Sequence, residues 1–127
     1  MMFKKFVLIT GALDFPIGLA VAVPAVLDPQ PENFTALVTL GAFLCFASAV
    51  LMWSAQDLQT RAPIVVWQGL VRLIAVAGIL YAVATGMAEM NQIAVGVFDG
   101  VVCAVYFVGC VRLTGVSPAQ LLLGRTA

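Results

Sequence analysis

The chain has 127 residues, of which 63% are hydrophobic and 9% are charged, and its net charge is zero. A soluble domain carries about 25% charged residues, so the composition excludes an ordinary water-soluble domain, and the zero net charge excludes a nucleic-acid-binding footprint. The sequence has no His, the commonest general base and metal ligand, and its three cysteines form no CxxC pair, so we expect no metal, no cofactor and no enzymatic activity.

Four apolar runs are long enough to cross a membrane, which takes ~20 mostly apolar residues. They cover residues 6–27, 35–53, 63–85 and 93–113. Pro63 stands at the start of the third run, and a first helical position tolerates a residue without an N–H. Because the polar connections are short, neighbouring helices must be antiparallel. The sequence therefore predicts an all-α fold, an integral membrane four-helix up-down bundle that forms a single membrane domain over residues 1–127.

The segment after the fourth run, residues 117–124, is too short to span. Ser117 is suited to an N-cap and Pro118 to a first helical residue, and residues 121–123 are three leucines. We expect a short C-terminal interfacial helix on the membrane surface, with Arg125 toward the lipid head groups. The alternative is a frayed tail.

The N-terminal run also has features of a signal peptide, with Lys4, Lys5 and a small-residue motif near Ala22. Asp14 and Pro16 interrupt its apolar core, however, and the run is long enough to span. We therefore expect a signal anchor that stays in the protein.

Charge is distributed unevenly between the two sides of the four-span arrangement. One side has the basic residues Lys4, Lys5, Arg61, Arg112 and Arg125, whereas the loops on the other side have only the acids Asp28, Glu32 and Glu89. Lys and Arg accumulate on the cytoplasmic side of membrane proteins. The distribution predicts a multi-pass protein of the bacterial cytoplasmic (inner) membrane with both termini in the cytoplasm.

Four strongly polar side chains interrupt the apolar runs: Asp14, Gln68, Arg72 and Asp99. Placing an Asp or Arg at the centre of a membrane helix costs about 2.5 to 3.5 kcal/mol, so such residues face the protein interior and find partners. From the 1.5 Å rise per residue, Asp14 lies roughly 12 Å and Arg72 roughly 13 Å from the cytoplasmic edge, whereas Asp99 lies roughly 21 Å from it.

The matched depths predict an ion pair between Asp14 and Arg72, with Gln68 one turn below Arg72 and Tyr106 near Gln68 in depth. Asp99 is then left without a counter-charge. A carboxyl group in that position favours its neutral form and is able to hold a proton or cation in exchange. The same polar residues are also able simply to hold the helices together, and both roles stay open.

Small residues recur at four-residue spacing in the last two runs, a pattern that lets helices approach closely. We expect helix packing through Gly78, Ala82, Gly96, Gly100 and Ala104. These positions serve either the interior of the bundle or contacts with a second copy or partner.

The stretch from Gly11-Ala-Leu-Asp14 through Gly18-Leu19 to Pro24, followed by three more spans, resembles the DoxX-like four-helix membrane proteins in layout over the whole chain. Some members of that set accompany membrane oxidoreductases, so the resemblance implies an accessory function. Four short spans with an early acid are also similar to the small multidrug resistance transporters, but those use a Glu in a different local sequence and have an aromatic pattern that is missing here.

Two functions therefore compete. The first is a non-enzymatic accessory or interaction protein, embedded in the lipid bilayer as a homo-oligomer or in a larger membrane complex, whose intramembrane polar cluster holds the bundle together. The alternative is a small carrier for a proton-coupled or lipophilic solute that uses Asp14, Arg72 and Asp99. A water-accessible cavity that reaches Asp99 favours the carrier, and a packed interior with paired polar groups favours the accessory protein.

Overall fold

The structure is a computed structural model that describes residues 2–126. Its helices are α1 (Met2–Leu27), α2 (Phe34–Ser54), α3 (Leu58–Ala84), α4 (Gln92–Thr114) and α5 (Pro118–Leu122). The described part of the chain contains no β-strand. The all-α prediction and the four predicted spans are confirmed.

Each of the four long helices is long and apolar enough to cross a membrane. Only 17% to 28% of the residues in the most apolar window of each helix are buried within the protein. Large apolar side chains such as Phe46 and Ile74, both 64% exposed, point outward. Since a soluble protein rarely exposes so much apolar surface, the exposed faces are lipid-facing and the chain is a multi-pass membrane protein.

The third helix begins earlier than the sequence predicted. It starts at Leu58 rather than at Pro63, and only residues 55–57 separate it from α2. Three of the four residues between Leu58 and Pro63 are polar, namely Gln59, Thr60 and Arg61, but polarity does not oppose a helix outside the hydrocarbon. The apolar run therefore marks the part of α3 suited to lipid, and the helix itself extends one and a half turns beyond it.

The end of α4 and the start of α5 are determined by local capping. Gly115 ends α4 in the left-handed conformation, with φ 71°, and its N–H donates to Val111 O. Ser117 is the N-cap of α5, where its hydroxyl accepts from the Gln120 N–H, and Pro118 follows it at the first helical position. The predicted tail helix and its cap are confirmed.

The helices form two compact units, the first ending at Asp57 and the second beginning at Leu58. The first unit is a hairpin in which α1 and α2 pack antiparallel at very short range. A Cβ atom added to Gly18 would lie 2.8 Å from Gly41 O, and one added to Gly41 would lie 2.5 Å from Ala22 Cβ. Glycine at both positions therefore permits backbone-to-backbone contact.

The second unit is a hairpin of α3 and α4 with α5 packed against both. Its contacting residues recur at seven-residue intervals, as in antiparallel coiled coils. On α3 they are Ala62, Gly69, Val76 and Arg72, Ile79, and on α4 they are Gly96, Cys110, then Asp99, Tyr106, and Gly100, Phe107. The polar residues Arg72 and Asp99 thus occupy regular positions of the helix–helix seam.

The small residues predicted to pack the helices contribute unequally. A Cβ atom on Gly96 would contact Ile79, at 3.5 Å, and one on Gly100 would reach Val76, at 3.9 Å. Gly78 has no neighbour within 4 Å of such an atom, Ala82 is half-buried and Ala104 is exposed. The closest glycine contact in this unit is instead that of Gly69 with the Phe107 ring.

Candidate functional site

The centre of the second hairpin contains an ion pair. Arg72 Nη1 donates a hydrogen bond to Asp99 Oδ1, which joins α3 to α4. The two side chains are 11% and 15% exposed, so both are largely removed from the surroundings of the helices. At this level of a membrane helix each charge alone is costly, and the direct contact offsets part of that cost.

Tyr106 completes the polar cluster on the side toward the α4 C-terminus. Its side chain is fully buried, and the Arg72 guanidinium carbon lies 6.0 Å from the centre of its ring. That distance is at the limit of a cation–π contact. Cys103 is also buried and lies between Asp99 and Tyr106 along the same face of α4. We refer to Arg72, Asp99 and Tyr106 as the α3–α4 cluster.

The prediction that Asp99 lacks a counter-charge is wrong, and the start of α3 explains the error. Counting from Pro63 put Arg72 at the wrong depth. Counted from the observed start at Leu58, Arg72 lies about 21 Å along α3, and Asp99 lies about 22 Å from the end of α4 at Thr114. The two residues are therefore at the same level of the antiparallel hairpin.

The remaining predicted site residues lie outside this ion pair. Gln68 is half-buried on α3, one turn before Arg72 and on the same face. Asp14 belongs to the first hairpin and is buried, with 8% of its surface exposed. It lies on the same face of α1 as Gly11 and Gly18, which contact α2. The helix continues past it through Pro16 and Pro24 without a break.

Trp67 has a role that the sequence did not reveal. Its indole N–H donates to the Leu122 carbonyl oxygen at 3.1 Å, while the side chain of the adjacent Leu121 is completely buried. The last carbonyls of a helix need such partners. Trp67 therefore anchors α5 to α3.

Among residues 2–126 the structure brings together no group of three or more potential metal ligands. The chain matches no protein-family model, and no curated protein or solved structure shows significant similarity to it.

Proposed function

We propose that this protein is a non-enzymatic accessory or interaction protein of the bacterial cytoplasmic membrane, with an interior polar cluster that stabilises its helices. The observation that carries the proposal is the Arg72–Asp99 ion pair, which is formed within a single hairpin and is largely buried. A carboxylate held by a neighbouring guanidinium serves to join two helices. The layout resemblance to DoxX-like proteins supports the same function.

The short segments that connect the long helices also support an accessory or interaction function. The segments between the long helices are residues 28–33, 55–57 and 85–91, and the tail contributes one five-residue helix. So little mass outside the spans leaves the helices themselves as the main surface for contact. The partner is then another membrane protein, and the assembly a homo-oligomer or a larger membrane complex.

The experiment is extraction of the protein from its own membrane at natural expression level, in a mild detergent or a polymer nanodisc. We expect particles that contain the 13.4 kDa chain together with at least one further protein subunit at a fixed ratio. A single copy in each particle, at every detergent tested, contradicts the proposal.

The carrier is the second candidate, and the observation that favours it is Asp14. This acid is buried in α1, two residues before Pro16, which cannot donate to the Ala12 carbonyl. A buried acid beside an interrupted backbone bond is a feature of several membrane transport sites. Proton flux into vesicles that carry the purified protein, lost in Asp14→Asn while thermal stability is kept, would favour the carrier over the accessory protein.

A further inference from the structure

Helix α5 lies at the level where the second hairpin passes from its polar end into its apolar segment. The Leu122 carbonyl oxygen accepts from the indole N–H of Trp67 on α3. Trp67 follows Pro63, where the apolar run begins, by four residues, about 6 Å of helix. Helical side chains also lean back toward the N-terminus of their helix. Because the hairpin spans the membrane, α5 lies at the level of the lipid head groups and the glycerol backbone.

One face of α5 is covered by protein, and the other is open to lipid. Leu121 is completely buried where α5 packs against α3 and α4, whereas Leu123 is 74% exposed. The Trp67 ring beside Leu122 is 52% exposed. Leu123 and Trp67 therefore present apolar surface to the boundary region of the bilayer, where Trp rings are favoured. The neighbour of this outer face is a lipid molecule.

Two arginines at this end of the second unit have no partner in the protein. Arg112 is in the last turn of α4, Arg125 follows α5, and both are exposed. Within residues 2–126, neither side chain forms an ion pair or a hydrogen bond. The sequence has no acid within ten residues of either, whereas Arg61, at the same end, has Asp57 four residues before it. The surface around α5 is therefore positively charged as well as apolar.

We propose that α5 and the end of α4 form a binding surface for anionic phospholipids. Arg112 and Arg125 contact the head-group phosphates, and Leu123 lies among the first carbons of the acyl chains. In phosphatidylcholine the choline cation offsets the phosphate charge, so two arginines without a nearby acid favour a lipid with a net negative charge. The apolar neighbours Leu123 and Trp67 select a lipid over a free phosphate ion. The proposal does not depend on the accessory function proposed above.

The test uses Trp67 as its own reporter. In the full-length Trp53→Phe variant Trp67 is the single Trp, and brominated acyl chains quench its fluorescence when they lie beside it. One set of phosphatidylcholine vesicles contains brominated phosphatidylglycerol, and a matched set has the bromine on the phosphatidylcholine instead. Quenching as a function of lipid composition yields the relative binding constant of the two lipids. We expect phosphatidylglycerol to bind about fivefold more tightly than phosphatidylcholine.

Variants made in the same background locate the binding. Arg125→Gln should reduce the preference to about twofold, and Arg112→Gln/Arg125→Gln should abolish it, whereas Arg125→Lys keeps the cation and should keep the preference. Lys5→Gln is the matched control, because it removes the same charge from an exposed position on α1, and it should leave the preference unchanged. Equal binding of the two lipids, a preference that survives the double variant, or an equal loss in Lys5→Gln overturns the proposal.

Two measurements on the Trp53→Phe protein need no further substitution. Raising the sodium chloride concentration screens exposed charges, so it should weaken the preference for phosphatidylglycerol, and a preference that is independent of salt overturns the proposal. Sodium phosphate at matched ionic strength should act like sodium chloride. A loss of preference that is specific to phosphate would show that the arginines bind the free ion, and would overturn the choice of a lipid.

Discussion

The ion pair between Arg72 and Asp99 determines how single substitutions at the α3–α4 cluster should behave. Removing one partner breaks a largely buried ion pair, which costs about 3 to 5 kcal/mol. We expect Arg72→Gln and Asp99→Asn each to lower the free energy of unfolding by about 3 kcal/mol. Unfolding in mixed micelles of increasing SDS content measures this change in the free energy of unfolding.

In the double variant Arg72→Gln/Asp99→Asn, two neutral polar groups replace the pair, so the loss should be smaller than the sum of the single losses. Asp28→Asn, in the exposed loop after α1, is the control and should change stability by less than about 0.5 kcal/mol. Strictly additive losses would show that the pair does not stabilise the protein.

At the residue level the sequence predicted that Asp99 has no counter-charge, whereas Asp99 forms an ion pair with Arg72. Composition alone singled out Asp14, Gln68, Arg72 and Asp99, because a charged or amide side chain in an apolar run is costly in lipid unless it has a partner. The partner of Asp99 depended on depth along the helix, and depth depended on where α3 begins. Hydropathy shows where the lipid-facing segment begins, which for α3 is Pro63. The helix itself begins five residues earlier, at Leu58.

At the level of helices, Gly18 and Gly41 lie where α1 and α2 pack most closely, so an added methyl group tests that packing directly. In Gly41→Ala the new methyl group would lie 2.5 Å from Ala22 Cβ and 2.6 Å from Gly18 O, so the helices must separate. Overpacking of this kind costs about 1 to 3 kcal/mol. We expect Gly41→Ala to unfold at a correspondingly lower SDS fraction.

Gly78→Ala is the matched control on α3, since the new methyl group meets nothing within 4 Å. Alanine is a better helix former than glycine, by about 1 kcal/mol in soluble helices, so this variant should be as stable as the natural protein or slightly more stable. A larger loss in Gly78→Ala than in Gly41→Ala would contradict the packing described here.

The anchoring of α5 gives a separate prediction. Trp67→Phe keeps the aromatic surface but removes the hydrogen bond to the Leu122 carbonyl, which is worth about 0.5 to 1.5 kcal/mol. We expect faster amide exchange in residues 118–125 and little change elsewhere. Hydrogen exchange measured by mass spectrometry distinguishes this from a general loss of stability, and unchanged exchange in the tail would show that the bond does not hold α5.

The helices themselves were largely predictable. Apolar run length, the polar connections and the Ser-Pro cap at residues 117–118 led to all five. The residues that pack the helices together were less predictable. A pattern of small residues, such as the one that includes Gly78, looks the same in the sequence whether that face of the helix contacts another helix or lipid. Gly18 and Gly41 lie on different helices, and only the antiparallel register of α1 and α2 brings them together.

For the whole molecule, the distribution of basic residues predicts the orientation. We expect a cysteine introduced at Glu89, in a variant with Cys45, Cys103 and Cys110 replaced by alanine, to react with a membrane-impermeant maleimide in intact cells. A cysteine introduced at Gln56, between α2 and α3, is the control and should react only after permeabilisation. The reverse labelling pattern would contradict the orientation with both termini in the cytoplasm.

The position of the ion pair also affects how the protein is made. During synthesis Arg72 leaves the ribosome 27 residues before Asp99, so α3 reaches the insertion machinery with the Arg72 charge before the Asp99 carboxylate is available. That charge alone opposes insertion by about 2.5 to 3.5 kcal/mol. Partitioning of α3 into lipid is then favoured once α4 has emerged to accompany it. The second hairpin should enter the bilayer as a pair of helices, and a nascent chain that stops before α4 should leave α3 poorly inserted.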